Sequence, residues 1–190
     1  MANPLLDRWS PQELAERGQV FEKEANLDLF PRLLEVVEKD LGVLPEGRRP
    51  AEWRRAPVAF RLAFGWADSR RQLPRLIGSV TASIPAVCQR CLEPFALELT
   101  QELRLLLAVP DSPIAESEDF DIWDLEEAVV RPLDIVDEAL LMALPLSAMH
   151  VDAADCGSLA RLLAMESDNR NGDNKVRPFA DLRSQMRHED

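Results

Sequence analysis

Cys88 and Cys91, separated by Gln89 and Arg90, form a C-x-x-C, and His150 and Cys156 add two more side chains of ligand type. Three thiolates and one imidazole are a donor set for a tetrahedral ion such as zinc, and two cysteines at this spacing on a hairpin tip have the shape of a zinc knuckle. The chain has only three cysteines and two histidines, and the second histidine, His188, falls within its last three residues. Two plainer readings stand beside the metal. Free cysteine packs as a small buried hydrophobe. A C-x-x-C can also be redox-active, although such motifs sit at a strand-to-helix junction.

A second constellation is basic. Arg48, Arg49, Arg54 and Arg55 surround Trp53, and Arg61, Arg70, Arg71 and Arg75 follow. Arginines meet phosphates and a tryptophan stacks on an unpaired base, so Arg48, Arg49, Trp53, Arg54, Arg55, Arg70 and Arg71 are candidate RNA contacts. The plain reading is a solvated face, because arginine is the default cation of a chain with 22 Lys and Arg of which three are Lys. A third constellation is acidic. The run from Glu116 to Glu127 contains Ile122 and Trp123 among carboxylates. It reads either as a solvated loop or as a phosphate-like surface with an apolar anchor. Glu118, Asp119, Asp121 and Trp123 are therefore candidate contacts to a basic protein.

Catalysis has little support. There is no tyrosine, and no G-x-S-x-G, P-loop, H-E-x-x-H or glycine-rich nucleotide fingerprint occurs. Acids are too abundant for any pair of them to mark a metal nuclease. With only 7 glycines, a phosphate cradle is not expected.

The elements that must position these residues follow from periodicity. Leu76, Val80, Ala82, Ile84 and Ala86 alternate with polar residues before Cys88, and Phe95, Leu97, Leu99, Leu103, Leu105, Leu107 and Val109 alternate after Cys91. Two half-buried antiparallel strands joined at the C-x-x-C are predicted. Val58, Phe60, Leu62, Phe64 and Trp66 predict a strand before them, returned by a turn at Asp68–Arg71. Phe21, Ala25, Leu27 and Leu29 predict a first strand, and Phe120, Ile122 and Trp123 a short last one.

Ser10-Pro11-Gln12-Glu13 is a capping box opening a short helix that ends at Gly18. Pro31 opens a second helix with Leu34, Val37 and Leu41 on one face, stopped by Gly42 and Pro45. Pro132 opens a third. There Leu133, Val136, Leu140 and Leu144 form a stripe widened by Ile135, Ala139 and Met142, while Asp134, Asp137 and Glu138 suit its positive N-terminal half. The fold class is α+β: an antiparallel sheet or partly closed β-barrel with a few packed helices. Residues 1–165 form a single α+β domain, and 166–190 a flexible tail bearing the small apolar island Arg177–Leu182.

Bulk properties bound the function. Hydrophobic residues make up 46% of the chain and charged residues 29%, ordinary for a soluble globular protein. No apolar run is long enough to cross a bilayer, the N-terminus lacks a signal-peptide pattern, and an odd cysteine count is no secreted disulfide framework. A cytoplasmic protein is expected, with no membrane or small-molecule partner. The net charge of −12 opposes wholesale nucleic-acid binding and suits a basic partner. It is unevenly spread: from 48 to 75 eight arginines face two acids, a net of +6, and from 111 to 138 eleven acids face one arginine, a net of −10.

In their order, Val87-Cys88-Gln89-Arg90-Cys91-Leu92 with Pro94-Phe95, a carboxylate-rich stretch, Asp134 to Pro145, and the His150…Cys156 loop resemble the bacterial large ribosomal RNA subunit accumulation protein (YceD-like) family. The capping-box start and the Arg177–Leu182 island are similar to that family's two ends, so the resemblance covers nearly the whole chain. It implies a role in synthesis, processing or stability of large-subunit (23S) ribosomal RNA, and it implies no enzyme activity and no catalytic residue. Some relatives carry further cysteines near the C-terminus, where this chain has Cys156. The expected function is a non-enzymatic ribosome biogenesis factor acting as an acidic adaptor for a basic ribosomal or rRNA-processing protein. The alternative is direct rRNA binding through the arginine-rich face, with a zinc knuckle.

Overall fold

Alternation in sequence becomes a five-stranded sheet, ordered β1-β2-β3-β4-β5 and built from β1 (Val20–Asn26), β2 (Pro57–Trp66), β3 (Pro74–Val87), β4 (Pro94–Ala108) and β5 (Asp121–Asp124). The computed structural model describes residues 4–108, 119–157 and 162. Val109, Glu118, the division at residue 165 and the Arg177–Leu182 island lie outside them. Three helices complete the α+β fold: α1 (Pro11–Glu16), α2 (Pro31–Leu41) and α3 (Pro132–Ala143).

The first four strands pair antiparallel with their neighbours, with Phe60 opposite Val80 and Val80 opposite Gln101. The last strand differs from expectation. β5 runs parallel to β4, with Leu107 beside Trp123, so the sheet is mixed and open and does not close into a barrel. The reason is length: twelve residues separate β4 from β5, enough for the crossover a parallel pair requires. The first strand is also shorter than its alternation suggests, because Leu27–Leu29 wind into a 3-10 turn after Asn26.

The chain divides into two units. The larger comprises Met1–Val87 with Pro94–Ala148. One face of β2 to β4 supplies Val58, Leu62, Leu76, Val80 and Leu107 to its core, and the helices supply Leu14, Leu33, Val37, Ile135 and Leu140. Each such aliphatic side chain contributes about 1.5–3 kcal/mol on leaving water. Gly78 is required where β3 crosses β2, since a Cβ there would clash with the backbone carbonyl of Arg61.

The helix ends depart from the sequence pattern. At α1 the capping box is not made: Ser10 Oγ donates to Gln12 Oε1 at 2.8 Å and Glu13 pairs with Arg17. Its other end closes as expected on Gly18, at φ +56°, with Gly18 N–H donating to Ala15 O and Gln19 N–H to Leu14 O. On α2 the buried stripe is Leu33, Val37 and Leu41, with Leu34 only half buried. Phe30 offers no side chain to the first amides of α2, and Asp137 of α3 takes its place. Its Oδ2 accepts from Arg32 N at 3.1 Å and its Oδ1 from Leu33 N at 3.0 Å, so it is buried as a cap for α2 rather than solvated on its own helix. Met142, expected to widen the α3 stripe, is 76% exposed.

The smaller unit comprises Cys88–Glu93 with Met149–Asp190. Cys88–Glu93 is the turn between β3 and β4, closed by Cys88 N–H to Glu93 O at 3.0 Å and Leu92 N–H to Cys88 O at 2.8 Å. Leu92 adopts φ +58°, a left-handed conformation uncommon for a residue with a side chain. Ala153–Asp155 form a 3-10 turn between His150 and Cys156, with Asp152 Oδ1 accepting from Ala154 N at 2.8 Å.

Candidate metal centre and acidic groove

The turn and the 149–157 stretch bring all four candidate ligands of the smaller unit together. Cys88, Cys91, His150 and Cys156 place their ligand atoms within 4.8 Å of one another. Cys88 Sγ lies 3.9 Å from Cys156 Sγ, and His150 Nδ1 lies 3.6 Å from both Cys91 Sγ and Cys156 Sγ. A tetrahedron with Zn–S bonds of about 2.3 Å and a Zn–N bond of about 2.0 Å has edges of about 3.8 Å between sulfurs and about 3.5 Å between sulfur and nitrogen. The three pairs at 3.9, 3.6 and 3.6 Å lie close to those edges, and the remaining pairs are within 4.8 Å. The three cysteines are buried and free, His150 is half buried, and the cluster can bind a metal ion.

The thiols are not equivalent. Burial pushes the Cys88 thiol up, but backbone N–H groups of His150, Cys91 and Arg90, with the His150 ring, outweigh it and lower Cys88 to about 6. Amides aimed at one sulfur favour the thiolate, the form that binds metal. Cys156 is raised to about 11, first by burial and then by the Cys91 and Cys88 thiols beside it. Arg90 adds a cation: its Nη1 lies 3.6 Å from Cys156 Sγ and its Nη2 3.9 Å from Met149 Sδ. Sequence reasoning named the four ligands but not Arg90, whose position inside the C-x-x-C was its one available signal.

In the larger unit, Asp121 and Trp123 come together at a groove of about 610 Å³ between β4, β5 and α3. Leu103, Leu105, Trp123, Ala139 and Met142 line it together with Asp121, Asp124 and Glu138. Glu138 is also paired with Arg32. Asp124 and α3 are contributions that the acidic run alone did not reveal. Asp119 precedes β5, and Glu118 lies outside the described residues.

The arginine-rich residues are distributed differently. Arg49 is turned onto the end of α2, with Nε donating to Leu44 O at 3.1 Å and Nη2 to Gly42 O at 3.4 Å. Arg54 pairs with Glu38 and covers one face of the Trp53 ring, 4.5 Å from its centroid. Arg55 pairs with Glu52 at 3.1 Å, and Arg61 with Glu22 at 3.5 Å. Arg48 ends a 3-10 turn just after α2. Arg70 and Arg71 are exposed in the turn after β2, whose ten residues span roughly 30 Å from the Trp53–Arg55 turn. The structure thus brings Trp53, Arg54 and Arg55 together and separates them from Arg70 and Arg71.

Comparison with known proteins adds one match. A family model described as large ribosomal RNA subunit accumulation protein YceD matches residues 76–184, more than half of the chain. The chain belongs to this family, whose description concerns ribosomal RNA of the large subunit and names no reaction. The matched range spans β3 to β5, α3 and all four candidate metal ligands. No curated protein and no solved structure matches the chain. Among the described residues, no helix is long and apolar enough to cross a membrane.

Proposed function

We propose that this chain supports accumulation of large-subunit (23S) ribosomal RNA as a cytoplasmic, non-enzymatic adaptor that holds a basic ribosomal or rRNA-processing protein. The observation that carries the reading is the groove, which Trp123 and other apolar side chains line together with Asp121 and Asp124. Such a surface suits a segment carrying arginine or lysine beside an apolar side chain, and the net charge of −12 draws basic proteins toward it. The cluster of Cys88, Cys91, His150 and Cys156 supports a second component of the reading, a structural zinc ion. Protein purified under reducing conditions without chelator should carry about one equivalent of zinc. Less than about half an equivalent removes zinc from the reading.

The direct-contact alternative is favoured by the net charge of +6 over residues 48–75. The pairing of Arg54 and Arg55 with carboxylates, and the covered face of Trp53, weaken it. Affinity capture of the full chain at moderate salt, with and without nuclease, separates the two. Partners of an adaptor survive nuclease, whereas RNA-mediated ones are lost. Asp121→Lys with Asp124→Lys should weaken capture of the basic partner by about tenfold or more. Adding reversal of Glu118 and Asp119 should abolish capture, and unchanged capture by the fourfold variant rules out the groove.

A further inference from the structure

We infer that the metal centre is what folds the smaller unit, so that Cys88–Glu93 and residues 149–157 keep their conformation only while the four ligands share an ion. This rests on the zinc reading above. Among the described residues of that unit, the buried side chains are Cys88, Cys91 and Cys156. Its larger apolar side chains remain in water: Leu92 is 54% exposed, Met149 44% and Val151 105%. Transfer of hydrocarbon out of water, which holds the larger unit together, supplies little here.

The contacts described above between the two segments converge on sulfur. They are Cys88 with Cys156, Cys91 with His150, and Arg90 with both Cys156 and Met149. Sulfur is a weak hydrogen-bonding partner, so without a cation these contacts hold residues 149–157 against the turn only weakly. A shared ion ties four ligands at one point and makes its own binding free energy available for folding.

Hydrogen exchange on the full chain tests this, comparing zinc-loaded protein with protein stripped by a strong chelator under reducing conditions. On stripping, amide exchange in 88–93 and 149–157 should quicken by about a hundredfold or more, with β2 to β4 little changed, and added zinc should restore the slow exchange. If stripped protein keeps its protection in both segments, the zinc reading stands and this inference is overturned. If reduced protein takes up no zinc, both are overturned. Cys91→Ser should reproduce the stripped pattern in the presence of zinc, and a zinc-loaded pattern in that variant also counts against the inference.

Discussion

In the larger unit Leu62, Leu76, Val80, Leu107 and Leu140 are buried in one continuous cluster, whereas in the smaller unit the buried side chains among the described residues are cysteines. The first arrangement spreads its cohesion over many close-packed side chains. The second concentrates its cohesion on four atoms. The same chain therefore contains a region whose order follows from hydrophobic pattern and one whose order, in the inference drawn above, follows from ligand chemistry.

That contrast can be broken at several points. Leu76→Ala, at a position with no exposed surface, should cost about 3–5 kcal/mol and lower the main thermal transition while leaving zinc stoichiometry of the folded protein unchanged. A matching loss of zinc would show that the units are not separately held. Asp137→Ala should cost about 2–3 kcal/mol in urea titration, because it strands the Arg32 and Leu33 amides at the start of α2. Asp137→Asn keeps one acceptor and should cost less.

A smaller effect belongs to Asp68 in the β2–β3 turn. The backbone N–H of Leu73, followed by those of Gln72 and Arg70, holds its carboxyl below the ordinary value of 3.8. Stability from a lowered carboxylate is present above the unfolded value and is lost as pH falls through the folded one. The thermal midpoint of Asp68→Ala should thus lie below that of the unmodified chain at neutral pH, with the gap closing below pH 3.8. A gap that persists unchanged in acid assigns the effect to turn geometry rather than charge.

The sequence exposed most strongly what is either periodic or rare. β2, β3 and β4 were legible because their inward residues repeat every second position over ten or more residues. The metal candidates were legible because three cysteines and one internal histidine leave few ways to assemble a site. What stayed hidden depends on neighbours distant in the chain. Asp137 reads as a favourable charge on its own helix, and only packing of α3 against α2 makes it a cap 104 residues from Leu33. The arginines between 48 and 61 read as a free basic patch until Glu38, Glu52 and Glu22 are seen beside them. The groove needs α3 opposite β5, a placement that neither segment's pattern specifies.

The antiparallel part of the sheet also has a kinetic meaning. β2 to β4 are neighbours in both sequence and space, joined by the turn from 67 to 73 and the six-residue turn Cys88–Glu93, so these two pairings form with short loop closures. The N-terminal segment is different: Trp9 exchanges both backbone hydrogen bonds with Val130, and Leu5 accepts from Leu133 N–H. These backbone bonds of Leu5 and Trp9 therefore form only once partners more than 120 residues further along the chain have been added. The hairpins can zip early, and completion of the larger unit falls to the moment when Val130 and the whole of α3, with Ile135 and Leu140, emerge.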